Sequence, residues 1–267
     1  MASSTRQALQ AGIQALTPLL KKADLKFAEE LFSIGVALST SIQLRNILSD
    51  PSGAEKAKHG ALNAVFGKKV SKEALAFAQT LSGLRWSKGG DLVTAFEQFG
   101  VYTVASIAAG AKELSTLEGE LFSVQQLIDS DEELQQAFSS RQASTESKVT
   151  LIKKLTGKKV SANTELLVRF AVEGARHRRL SLVLEGYGKQ VSAVAERLVA
   201  TITVAAPIDN AQLERLEKAL SKTYGQELNL NVEIDPSVIG GVKVQVSGEI
   251  IDGSVATRLN QARMQLA

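Results

Sequence analysis

The chain has no cysteine among its 267 residues, which excludes disulfides, thiolate metal sites and cysteine nucleophiles at once. Histidine is nearly absent: only His59 and His177 occur. Without acidic residues clustered around them, they support neither a histidine-based metal site nor a catalytic triad. Aromatic residues make up 5% of the chain, and none interleave with a basic stripe as base-stacking platforms require. The single tryptophan, Trp86, reads as a core or interface anchor. No stretch approaches the roughly 20 uninterrupted apolar residues needed to span a bilayer, and the opening MASSTRQALQ lacks a signal-peptide core. These absences predict a soluble globular protein with no direct membrane insertion, no catalytic residue, no metal site and no cofactor.

What remains is ordinary in bulk and informative in order. Hydrophobic residues make up 44% and charged residues 22%, and a net charge of +3 permits acidic partners without demanding them. LFSIGVALSTSIQLRNIL at Leu31 recurs as LFSVQQLIDSDEELQQAF at Leu121, a displacement of 90 residues. The same offset links GKKVS at 67–71 with GKKVS at 157–161. Phe27, Leu31, Ile34 and Leu38 correspond to Leu117, Leu121, Val124 and Ile128, each set at helical spacings of three and four. Farther along the register slips by two, matching Phe96, Glu97 and Phe99 to Leu184, Glu185 and Tyr187. Each copy therefore reads as a bundle of several helices, with Asp50-Pro51 interrupting the first. Gly67 and Gly157 mark helix ends, and Ser71 and Ser161 cap the helices that follow.

GKKVS is not a phosphate loop, because Lys69 and Lys159 stand where that element needs a hydroxyl and no earlier glycine precedes at the required spacing. The run Arg176-His177-Arg178-Arg179 carries guanidinium groups that pair with anionic oxygens. With no stacking aromatics or recognisable motif, it reads as a solvated turn or a protein-contact patch, and no nucleic-acid partner is expected.

The last 36 residues, VEIDPSVIGGVKVQVSGEIIDGSVATRLNQARMQLA, join strand signals to a closing helix. Apolar residues alternate from Val232 to Asp235 and from Val242 to Val246, with Gly240-Gly241 between them. A hairpin between these two runs is the natural expectation, since glycine enters tight turns freely. Glu249 to Ile251 makes a third run. Asp252, Gly253 and Ser254 then supply helix-start chemistry for Val255, Leu259, Ala262 and Leu266. Upstream, LVATITVAA reads as a strand and Leu213, Leu216, Leu220 and Tyr224 as one helical face.

Asp235, Pro236, Val238, Ile239, Gly240, Gly241, Val244, Ile251, Asp252, Gly253, Ser254, Val255 and Leu259, in this order and close to the end of the sequence, closely resemble the C-terminal signature of F-type ATP synthase delta subunits, called the oligomycin-sensitivity-conferring protein in mitochondria. The extra N-terminal region is similar to that of the long actinobacterial forms. The resemblance and the repeat together give an expected α+β, mostly α architecture. An additional helical bundle occupies 1–110, the family's usual bundle 111–200, and a small α/β stalk-binding domain 201–267. The resemblance implies a noncatalytic peripheral-stalk subunit, present as one copy on the cytoplasmic face of the cell membrane. Its bundle would hold helices of the head's alpha subunits and its last domain the b-type stalk subunits. Ile239, Gly240, Gly241, Ile251, Asp252, Gly253, Ser254, Val255 and Leu259 would serve structurally in that last domain. The family's bundle carries an arginine that Arg85 and Arg176 represent, in a structural or partner-facing role. A stand-alone helical adaptor that borrowed the α/β module is the alternative, and an enzyme is disfavoured by the missing catalytic residue types.

Overall fold

Capping residues and apolar stripes set where the helices begin and which way they face. The computed structural model describes residues 3–157, 159–176, 178–197, 199–206, 208–224, 229–235, 240–246 and 249–252. They fall into two compact units, Met1–Ser192 and Ala193–Ala267. The first begins with α1 (Ser3–Leu20), α2 (Leu25–Thr40), α3 (Ile42–Ser49), α4 (Glu55–Phe66), α5 (Lys72–Gly83) and α6 (Gly89–Gly110). It continues with α7 (Leu114–Asp129), α8 (Glu132–Ser139), α9 (Thr145–Thr156), α10 (Ala162–Glu173) and α11 (Leu180–Arg197), the boundary between the units falling inside α11. The Asp24 carboxylate accepts from the Phe27 N–H at 2.9 Å and starts α2. Ser41 ends α2 and, accepting from the Leu44 N–H, starts α3. These caps satisfy amide groups that the first turn of a helix leaves without partners.

The duplication is visible element by element. Helices α8, α9 and α10 each begin 90 residues after α3, α4 and α5, and α7 and α11 follow α2 and α6. Phe27, Leu31, Ile34 and Leu38 are all buried on α2, and so are Leu117, Leu121, Val124 and Ile128 on α7. Each such leucine or isoleucine contributes about 1.5–3 kcal/mol by leaving water. The counterpart of α1 in the second copy is not a separate helix. Adding the 90-residue offset to 3–20 gives 93–110, the greater part of α6, so one helix serves both copies.

Helix α6 is apolar around most of its circumference for that reason. It packs on α1, α2 and α3 and also on α7 and α10, burying Leu92, Val93, Phe96, Phe99, Val101 and Val104. By length and composition it could cross a membrane, yet 61% of its most apolar window lies inside the protein, as expected of a core helix. Phe77 meets Phe99 edge-on at 5.3 Å, a favoured aromatic geometry. Gly100 leaves room for the Phe32 ring, whose atoms lie 2.7–2.8 Å from where a Cβ would stand.

The second unit contains β1 (Val199–Val204), α12 (Asn210–Tyr224), β2 (Asn229–Ile234), β3 (Val242–Val246) and β4 (Glu249–Asp252). The strands form one sheet in the order β2-β1-β3-β4. β1 runs parallel to β2 and antiparallel to β3, with Ile202 opposite both Val232 and Val244, and β3 runs antiparallel to β4. Leu216 and Leu220 of α12 pack against Leu230, Val242 and Val244. The chain is thus α+β and mostly helical. The expected hairpin between β2 and β3 does not form: β1 lies between them, and the adjacent antiparallel pair is β3 with β4. Alternation identifies a strand but not its neighbour. β1, with Ile202 and Val204 buried, takes a central position, while Ile234 on edge strand β2 is 56% exposed. The closing helix expected from Val255 onward lies outside the described residues, as do Ile239, Gly253 and Ser254.

Gly240 and Gly241 adopt φ of 65° and 83°, a region that costs other L-residues roughly 1–2 kcal/mol each. Replacing both with valine is expected to destabilise the second unit by at least that amount, read as a lower denaturation midpoint; unchanged stability would contradict the observed dihedrals. In the first unit, Gly100→Val is expected to cost about 1–3 kcal/mol by overpacking. Gly119→Ala, on α7 with open space around its Cβ position, should instead gain about 0.5–1 kcal/mol. Urea titration of both variants checks the contrast.

Candidate functional site

Each GKKVS element ends in a serine that does two jobs, capping one helix and holding another. Ser71 caps α5, accepting from the Ala74 N–H and donating to Glu30 of α2. Ser161 caps α10 in the same way. Its N–H and hydroxyl both reach Glu120 of α7, at 2.9 and 2.6 Å, and Thr164 donates to the same carboxylate. Glu30 and Glu120 are themselves 90 residues apart, so the duplicated sequence element is a duplicated clamp between two helices. Phosphate binding has no part in it. Burial raises the pKa of Glu120, but the hydrogen bonds from Ser161 and Thr164 outweigh it and hold the carboxyl below its ordinary value.

The arginine run folds inward. Arg176 Nη2 donates to Glu97 Oε2 at 2.7 Å, and Arg178 Nη2 donates to Glu97 Oε1 at 2.8 Å. The Tyr187 hydroxyl of α11 donates to Oε1 at 3.1 Å. Burial first, and the adjacent carboxylate second, push the tyrosine's pKa well above its ordinary value, so it remains a donor at any physiological pH. The Glu97 side chain is only 11% exposed, and three donors compensate its charge. Arg176 reaches this position with φ of +49°, unusual for a residue with a side chain. Beside the cluster, the rings of Phe32 and Phe170 stack at 4.6 Å, and Arg169 of α10 pairs with Glu29 of α2 at 2.6 Å. All of these contacts join the first copy to the second. A small cavity of about 20 Å³ among Phe32, Val93, Glu97, Phe170, Arg176 and Tyr187 has room for roughly one water.

A second concavity, about 380 Å³ and open to solvent, runs between α1 and α5. Ala15, Leu19, Ala76 and Phe77 give it an apolar floor, with Lys72, Glu73 and Thr80 at its border. It contains no paired titratable groups of the kind general acid–base chemistry needs. No metal-binding cluster of His, Asp or Glu occurs among the described residues.

The residues singled out in the sequence are therefore scattered. Arg176 belongs to the Glu97 cluster, whereas Arg85 is exposed between α5 and α6. Trp86 is buried and donates from Nε1 to the Leu81 carbonyl at 2.8 Å. Gly240, Gly241, Ile251 and Asp252 lie at strand ends of the second unit, with Asp252 opposite Lys243. Ile239, Gly253, Ser254, Val255, Leu259 and His177 lie outside the described residues. Sequence reasoning missed Glu97 as a hub. Its one signal was that a repeat pairing Glu97 with Glu185 leaves a carboxylate on an otherwise apolar helix.

Because the Glu120 pKa is depressed on folding, the clamp's contribution is complete above the unfolded carboxyl pKa and is lost as pH falls through the lower folded one. Thr164→Val should raise the titration midpoint of Glu120 followed by carboxyl NMR. The stability gap between the parent chain and Glu120→Gln should close on acidification through that range; a gap independent of pH would refute the clamp.

The family description "ATP synthase delta (OSCP) subunit" matches residues 101–266, starting within α6. An ATP synthase subunit delta from Leifsonia xyli is 37% identical, with all of both chains covered. One from Beutenbergia cavernae is 35% identical over all of both chains, and one from Streptomyces coelicolor 36% identical over all of this chain and 98% of its own. The first hundred residues thus lie beyond the family's common part but within the length of these relatives. The chain belongs to the ATP synthase delta (OSCP) subunit family and is a noncatalytic subunit of that complex.

Proposed function

We propose that this chain is a peripheral-stalk subunit of a proton-translocating F-type ATP synthase, joining the catalytic head to the membrane-anchored b-type subunits and resisting rotor torque from the cytoplasmic face of the membrane. In this reading residues 1–110 and 111–200 are the two bundle copies, 201–267 is the stalk-gripping domain, and one copy of the chain serves each complex. The observation that supports it is the family match over residues 101–266, and the open apolar groove between α1 and α5 of the added copy offers a further surface for the head. Such a groove accepts one face of an amphipathic helix, as an alpha subunit of the head would offer, by burying anchors spaced three and four residues apart. Within the protein itself, Phe32 of α2 is buried in this manner, stacked on Phe170 of α10 at 4.6 Å. Several anchors buried together dissociate slowly, which suits a static brace.

The purified chain is expected to show no ATPase activity and to co-sediment with both head and stalk preparations. Ala76→Glu places a charge on the groove floor and should weaken head binding at least tenfold, equivalent to about 1.4 kcal/mol, while leaving stalk binding alone. Unaltered head binding would reject the groove as the contact. Failure to bind either preparation would reject the stalk role.

A further inference from the structure

The duplicated sequence allows each residue at the seam between the copies to be compared with its own counterpart. Core residues are alike in the two copies: Leu31 and Leu121 are both buried, as are Ile34 and Val124. Seam residues are not. Phe32 is buried against Phe170, whereas its counterpart Phe122 is 59% exposed. Phe170 corresponds to Thr80, an exposed residue. Glu97 corresponds to Glu185, whose side chain is 41% exposed and which, among the described residues, pairs with Lys189 one turn away. At the equivalent turn of the first copy stands Arg85, which is exposed, and Tyr187 corresponds to Phe99, which has no hydroxyl to donate. Chemistry needed for each bundle to fold is shared by both, so chemistry found on one side alone answers to something that occurs once, the contact between them.

We infer that the Glu97 cluster is a latch that locks the two copies into one rigid block, making the added copy a fixed extension of the family bundle and not a tethered module. The carboxylate sits on the part of the shared helix α6 that packs on the first copy's α2, while its three donors, Arg176, Arg178 and Tyr187, come from the second copy. Separating the copies would leave Glu97 without any of these donors. Stacked rings tolerate sliding, but two guanidinium groups and a hydroxyl converging on one carboxylate fix position and rotation together. The left-handed backbone at Arg176 is retained where its guanidinium reaches Glu97, as strained residues are where the surroundings over-determine them.

The absence of native cysteine allows a clean test on the full chain. Spin labels at Lys56→Cys and Glu146→Cys, counterparts exposed on α4 and α9, report the distance between copies by pulsed electron paramagnetic resonance. The parent chain should give one narrow distance distribution. Glu97→Gln should roughly double its width or add a second population with helical circular dichroism unchanged, and Glu185→Gln should leave it narrow. Arg176→Gly, which suits the observed φ and removes the guanidinium, should broaden it as well and decides the matter if Glu97→Gln loses helix. A distribution already broad in the parent chain, or one that stays narrow in the folded variants, would overturn the latch. The readout involves no other subunit, so it stands or falls separately from the stalk role.

Discussion

A helix that is apolar on nearly every side must have protein on nearly every side, and α6 imposes that requirement on the whole helical unit. The first copy alone covers it with α1, α2 and α3, leaving the surface that meets α7 and α10. Removing the second copy would therefore return part of a core helix to water, at about 25 cal/mol for each Å² of apolar surface. Sharing α6 makes the duplication obligatory in structure: the second bundle takes its first helix from the end of the first. The family match beginning at residue 101 cuts through this helix. Sequence relationship and folding unit consequently have different boundaries here.

Around that shared helix, the two copies keep the same interior devices and differ where they meet. The serine–glutamate clamps at Ser71–Glu30 and Ser161–Glu120 hold equivalent helices together in each copy. Both serines are caps first, satisfying amide groups at a helix start, and link to the glutamate with the hydroxyl proton left over. A serine in that place thus fixes helix start and helix pairing with one side chain. The seam, by contrast, depends on side chains whose counterparts are exposed or chemically different, such as Phe170 with Thr80 and Glu97 with Glu185.

How much of this was legible in the sequence depended on the range of the interaction. The stripe from Phe27 to Leu38, the caps at Ser71 and Ser161 and the interruption at Asp50-Pro51 are encoded within a few residues, and reading them located the helices. The strands were legible for the same reason, but their neighbours were not. Alternation says that Val232 and Val244 face a core, whereas the insertion of β1 between their strands is set by burial across the sheet. The Glu97 cluster lies further out of reach, since Arg176 stands 79 residues away in the chain and a guanidinium on a polar loop looks the same whether it meets water or a carboxylate. The comparison of repeat copies held a usable hint: where counterparts are both apolar they belong to the core, and where a charge recurs on an apolar helix, as at Glu97 and Glu185, each copy needs a partner for it.

The two kinds of contact at the seam are complementary in mechanical terms. Apolar burial is non-directional, so Phe32 against Phe170 resists separation more than it resists slip. The pairing of Glu97 with two arginines and a tyrosine is directional, and it adds little net stability because desolvating the carboxylate offsets much of the attraction. Its value lies in position: donors arriving from a loop and from α11 meet one carboxylate on α6, and no sliding or rotation of the copies preserves all three bonds. In the proposed stalk role, stiffness matters more than extra stability. The combination of an apolar stack for cohesion and a low-exposure ion cluster for register supplies both without altering either bundle's core.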